Sequence, residues 1–282
     1  MNSTTAKFLS KLLAPQLFNP FDNGKKHSLW LSFSPQRSGQ HVIISWLCIG
    51  IGHLLHFNHC RFYFNNFRLE LQPMTGRRVL YQHGIETNDS GIQGRHKLSE
   101  SLVGLGTVPN ILYSMEDLSP EMVPYDNLIK LHEAKLIIIL RDPCNWIASS
   151  IKHGKSSESK MKTKIETYKS LLRLASNTSK SEQITFIDYK KFIQSKEYRT
   201  RIAECLQLPY FEEAEKTLSK IPDFGGGSSF KNEGHDIDSL FSRWAAFKDN
   251  QLFLKLIHDA ELWELSEVFF GDFPGRKELN LK

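Results

Sequence analysis

The stretch SLWLSFSPQRSGQHVIISWL, Ser28 to Leu47, decides how the rest of the chain is read. SLWLSF, Ser28 to Phe33, is a short apolar run of the kind that forms a buried strand. Val42, Ile43, Ile44, Trp46 and Leu47 read as a buried helix. Between them lies a tight polar turn. A strand, a turn and a helix in this order make a place to hold an anion, because the first N–H groups of a helix lack partners and its dipole favours negative charge. Gly39 lets the backbone come close to such a ligand. Arg37 can fork onto two anionic oxygens. Ser38, Gln40 and His41 add side-chain donors. The Walker pattern G-x-x-x-x-G-K-[ST] is not met: its first Gly is missing and Gln40 stands where its Lys belongs, which disfavours an ATP-using kinase of that type.

Outward from this turn, strand-like runs alternate with helical patterns. RRVLYQ (Arg77 to Gln82), ILYSM (Ile111 to Met115), KLIIIL (Lys135 to Leu140) and ITFID (Ile184 to Asp188) follow the first strand. Continuous apolar runs indicate strands covered on both faces, hence a mostly parallel sheet. The expected fold is a three-layer α/β/α domain with a central sheet of about five strands, a P-loop-like nucleotide-binding arrangement. One domain is expected over 1–282, with an N-terminal extension at 1–27 and a helical C-terminal portion at 235–282. Ile165, Tyr168, Leu172 and Ala175 share a helical face, and Ser195 can cap a helix carrying Tyr198, Ile202 and Cys205. The most apolar run, His41 to Phe57, reads as one core helix, too interrupted and short to span a membrane. HGKSSESKMK, His153 to Lys162, reads as a polar loop, and FGGGSSF, Phe224 to Phe230, as a Gly-rich turn.

The 282 residues carry 36 Lys and Arg against 31 Asp and Glu, a balance of +5. With 40% hydrophobic residues and a mean hydropathy of −0.36, this is the profile of a soluble globular chain. The excess suits an anionic ligand, but no basic block with interleaved aromatics points to nucleic acid. Cys48, Cys60, Cys144 and Cys205 form no CxxC pair, so reduced thiols and a cytoplasmic location are expected. His53, His56 and His59 read as a helix-end cluster rather than a metal site, for want of a carboxylate or Cys partner nearby.

A second motif narrows the anion. In KLIIILRDPCNWIASSIKHG, Lys135 to Gly154, Arg141 ends a strand, Asp142 can cap the next helix, Pro143 fits its first turn and Gly154 can end it. Ser149 follows Arg141 by eight residues, so both can converge on one phosphate beside the sheet. With the first loop, this pair resembles the sulfotransferase family that uses 3′-phosphoadenosine 5′-phosphosulfate (PAPS). Arg37-Ser38-Gly39-Gln40-His41 is similar to that family's K-S-G-T-T, which grips the 5′-phosphosulfate, and Arg141 with Ser149 is similar to its grip on the 3′-phosphate. FIDYKKF, Phe186 to Phe192, resembles the strand end that places a Tyr, here Tyr189, near the adenine. GGGSSFKN resembles the segment that places Ser229 and Phe230 at the adenosine, and SRWAAF, Ser242 to Phe247, the late Trp-containing segment. The resemblance covers roughly Leu29 to Phe247. The sequence departs from the family where Arg37 replaces a Lys, where Val42 replaces an adenine-stacking Trp, and where no Arg-Lys-Gly element precedes Trp244; Lys231 or Arg243 would substitute there.

The resemblance implies sulfuryl transfer from PAPS, leaving PAP, to a hydroxyl or amine of a small molecule or glycan. The residues at 58–110 would receive this acceptor, and Arg61, Arg68, Arg77, Arg78 and Arg95 lie in or beside that region, mostly as solvated surface. An alcohol acceptor needs a base. The family's His falls at Glu116 in YSMEDLSP, Tyr113 to Pro120. His83, in YQHGIETNDSG, and His41 are the alternatives. Two other functions fit the loops: a non-catalytic nucleotide- or anion-binding protein of the same fold, and an atypical nucleotide kinase.

Overall fold

The structure is a computed structural model that describes residues 28–52, 54–58, 60–65, 68–73, 79–83, 92–95, 110–122, 134–154, 157–177, 184–218, 240–276 and 278–279. Strands β1 (Ser28–Ser34), β2 (Leu54–Asn58), β5 (Val79–His83), β6 (Ile92–Arg95), β7 (Asn110–Glu116), β8 (Lys135–Leu140) and β9 (Ile184–Asp188) form one sheet in the order β6-β5-β2-β7-β1-β8-β9. The pairings β2/β7, β7/β1, β1/β8 and β8/β9 are all parallel, so five strands run the same way. At one margin β5 and β6 run antiparallel to their neighbours. A separate hairpin pairs β3 (Cys60–Asn65) with β4 (Arg68–Pro73).

Helices cover both faces, which explains the continuous apolar runs. Trp30, Leu112, Ile137 and Ile139 pack against Ile43, Ile44 and Leu47 of α1 (Gln40–Ile51). The same layer holds Phe192 of α4 (Tyr189–Gln194), Ile202 of α5 (Lys196–Leu206) and Ala214 of α6 (Phe211–Glu215). On the other face, Leu31, Phe33, Ile138 and Leu140 meet α2 (Pro143–Lys152) and α3 (Glu158–Ser176), together with α7 (Gln251–Ile257) and α8 (Ala260–Phe270). Each large side chain buried in these layers contributes about 1.5–3 kcal/mol. The α/β architecture with helices on both faces of a mostly parallel sheet is the one expected.

Local details follow their capping chemistry. Asp142 accepts from the N–H of Asn145 at 2.9 Å with Pro143 at the first helical position, and Ser195 accepts from the N–H of Tyr198 at 3.1 Å. Several expectations are corrected. The run from His41 to Phe57 is not one helix: α1 stops at Ile51, Gly52 takes a positive φ, and β2 begins at Leu54. His56 therefore lies in a central strand, its Nε2 2.7 Å from Ser114 Oγ, and not at a helix end; His53 and His59 lie outside the described residues. Helix α3 begins at Glu158, inside the segment read as a loop. Cys205 is exposed rather than on the packed face of α5. The C-terminal portion is broken into a 3₁₀ turn at Arg243–Phe247 followed by α7 and α8. Among the described residues no helix is long and apolar enough to cross a membrane.

Candidate functional site

In a parallel sheet, the turns that follow adjacent strands emerge at the same edge. Because β1 pairs with both β7 and β8, the residues after Ser34, after Glu116 and after Leu140 are neighbours there. Ser34 is level with Glu116, and Phe33 with Ile138. Arg37 and Arg141 thus follow adjacent strands at one edge, at the carboxyl ends of strands, where open α/β sheets hold ligands.

The first turn is strained in a way that exposes its donors. Arg37 has φ of +72° and Gly39 of +83°. The left-handed region costs an L-residue about 1–2 kcal/mol, and glycine little. No side chain caps the 12-residue helix α1 at Gly39, and the N–H of Val42 donates to the Gly39 carbonyl at 3.3 Å, so the positive end of the helix dipole faces the turn. Ser38 Oγ and Arg37 Nε are buried with no hydrogen-bond partner among the described residues. Such atoms cost stability unless something satisfies them. Desolvation holds the Arg37 guanidinium below the ordinary arginine range; Glu116 pushes it up, and Arg141 adds to the lowering.

Arg141 is 4% exposed, and its Nε also lacks a partner among the described residues. One of its terminal nitrogens donates to the carbonyl of Leu240 at 2.9 Å, and its own carbonyl accepts from the Tyr168 hydroxyl at 2.6 Å. Ser149 lies buried on α2. Asp142 and Asp188 are pushed above the usual carboxylate range by desolvation; Arg141 pulls Asp142 back, and the Lys191 N–H does the same for Asp188. Tyr189 stands between the two turns. Its ring lies 5.3 Å from the Arg141 guanidinium carbon and 6.2 Å from the Phe241 ring, and a Cβ at Gly39 would run into it. Gly39→Ala therefore loses roughly 3 kcal/mol of unfolding free energy, from backbone strain and overpacking together, a drop that urea denaturation would detect.

Glu116 ends β7 at the same edge, level with Ser34. It is 4% exposed and accepts from Gln40 Nε2, while Gln40 Oε1 accepts from the Ser34 hydroxyl. The Gln40 side chain is thus engaged by Glu116 and Ser34, although the sequence suggested it as a ligand donor. His41 Nε2 is 4.0 Å from Glu116 Oε1.

The structure does not bring His83 to this place. His83 is level with Leu54, and Leu54 with Asn110 at the start of β7, six residues before Glu116. At 3.3 Å per residue this puts the His83 backbone about 20 Å away, at the opposite edge of the sheet. Ser229, Phe230 and Lys231 lie outside the described residues, and Arg243 begins the 3₁₀ turn before Trp244. One contributor, Asn145, went unseen in the sequence; Asp117 was expected only to cap or solvate its own turn. Asn145 donates to the carbonyl of Phe241 at 2.8 Å and accepts from the N–H of Trp244 at 3.3 Å, tying α2 to the late segment. Asp117, with φ of +53°, contacts the first turn directly. Among the described residues no three His, Cys, Asp or Glu gather to hold a metal ion.

No protein-family model and no curated protein matches the sequence. Among solved structures the chain is similar to mouse sulfotransferase SULT7A1 complexed with PAP, at 13% sequence identity and a TM-score of 0.39, over 88% of this chain and 95% of that one.

Proposed function

We propose that the chain transfers a sulfuryl group from PAPS to a hydroxyl or amine of a small molecule or glycan. One observation carries the reading: Arg37, Ser38 and Arg141 bring buried, unsatisfied donor atoms to one edge of adjacent parallel strands. Arg141 disfavours the charge on Arg37, and an anion placed between them relieves this. A nucleotide charged at two ends fits this donor set better than a single phosphate does. In this reading the turn from Arg37 to His41 takes the 5′ end, and Arg141 with Ser149 takes the 3′-phosphate. Tyr189 packs between the two.

Bound PAPS supplies the activated sulfuryl group. Arg37 holds its positive charge throughout, because a guanidinium cannot give up a proton near neutral pH; it stabilises the charge that develops on the leaving oxygens. The positive end of the α1 dipole acts in the same sense. Glu116 takes the proton from the acceptor, and Gln40 fixes the carboxylate in place for that task. Phosphate-end contacts and burial of the crevice orient the reactants, which lowers the entropic part of the barrier.

A thermal-shift panel tests the reading. Adenosine 3′,5′-bisphosphate raises the unfolding temperature, and at a hundredfold excess over its Kd it adds about 2.7 kcal/mol of stability. ATP with magnesium gives no comparable shift. Stabilisation by ATP and magnesium alone would make the protein a nucleotide kinase instead. Bisphosphate binding without transfer to any acceptor in a broad panel would make it a binding protein.

A further inference from the structure

The residue before Arg37 is held at three points. The N–H of Gln36 donates to Asp117 Oδ1 at 2.8 Å. Its carbonyl accepts from the Trp146 indole N–H at 2.9 Å. Its side-chain Oε1 accepts from Lys164 Nζ at 3.0 Å. Lys164 Nζ lies also 3.0 Å from Asp117 Oδ2, which closes the ring of contacts. Asp117 is itself fixed by its N–H, which donates to the Ser34 carbonyl at 2.9 Å. These partners come from the end of β7, from α2 and from α3, so three elements, the sheet and two helices on one of its faces, converge on one loop residue.

The next residue, Arg37, takes a left-handed backbone shape that its side chain disfavours. Such a conformation persists only where the surroundings over-determine it. Asp117 takes the same kind of shape at the facing turn. Gln36 has no part in the anion-binding set, yet its N–H, its carbonyl and its side-chain oxygen are all engaged.

We infer that Asp117 and Lys164 are positioning residues: through Gln36 they lock the turn so that the Arg37 guanidinium is preset for the nucleotide. This rests on the reading of the site as a nucleotide crevice. Without the clamp the turn relaxes toward ordinary backbone angles, and Arg37 must be reordered each time the ligand binds, at a cost in affinity. The ion pair keeps some solvent contact on both sides, and the unfolding temperature of each variant separates a loss of affinity from a loss of the fold.

The test is calorimetric titration with adenosine 3′,5′-bisphosphate, with the unfolding temperature of each unliganded variant recorded alongside. Asp117→Ala and Lys164→Met each weaken binding about tenfold, while Lys164→Arg recovers most of it. Asp117→Asn keeps an acceptor for the Gln36 N–H and loses less. The deciding arm is a double-mutant cycle. In an Arg37→Ala background, Asp117→Ala has no further effect, because the residue it positions is gone. If Asp117→Ala costs the same tenfold there, it acts independently of Arg37 and the inference is overturned. Wild-type binding by both Asp117→Ala and Lys164→Met, with Arg37→Ala impaired, overturns it too. Wild-type binding by Arg37→Ala itself instead brings down the nucleotide reading of the crevice.

Discussion

Replacing Arg37 by alanine lowers sulfuryl transfer by about a hundredfold to a thousandfold, the usual loss when a preorganised donor at a developing charge is removed. Arg37 is the first-turn residue with a permanent charge, and it lies within electrostatic reach of both Glu116 and Arg141. Its buried Nε has no partner among the described residues, so the protein carries the cost of desolvating it in the absence of ligand. Activity and stability should therefore separate. Arg37→Gly relieves desolvation, repulsion from Arg141 and backbone strain at once. The unliganded Arg37→Gly variant unfolds at higher denaturant, by about 1 kcal/mol once glycine's own entropy cost is subtracted. Steady-state transfer assays and urea curves on the same preparations check both halves. Transfer within threefold of wild type would remove Arg37 from the chemistry.

Replacing Glu116 by glutamine lowers transfer to a hydroxyl acceptor by about 10²–10⁴-fold, the range for loss of a general base. The substitution keeps size and leaves an oxygen to accept from Gln40, so the packing under α1 survives. Bisphosphate affinity stays near the wild-type value. The profile is thus a fall in kcat with little change in nucleotide binding, opposite in kind to Arg37→Ala, which damages both. Full activity in Glu116→Gln would shift attention to His41, 4.0 Å from the same carboxylate, and not to His83 across the sheet.

Both arginines were legible from sequence because each follows an apolar run that is continuous and short. Runs like LWLSF and LIIIL have little choice but to be central strands, and the polar residue after such a strand must surface at its end. Strand β2 was not legible. Helix α1 is buried almost throughout, so it has no polar face whose phase would break at its end. The stop at Gly52 depends on a backbone angle that composition does not reveal. His83 was misplaced for another reason: an apolar run shows that a strand exists but not which way it points, and β5 runs against its neighbour. The contacts of Asp117 and Lys164 with Gln36 were invisible because Gln36 is distant in sequence from both.

The Tyr189 ring, lodged between Gly39 and Arg141, separates the two turns by the width of an aromatic ring. If the proposed nucleotide binds as inferred, a ligand charged at one end only meets Arg37 or Arg141 but not both, so selection by span precedes any discrimination among bases.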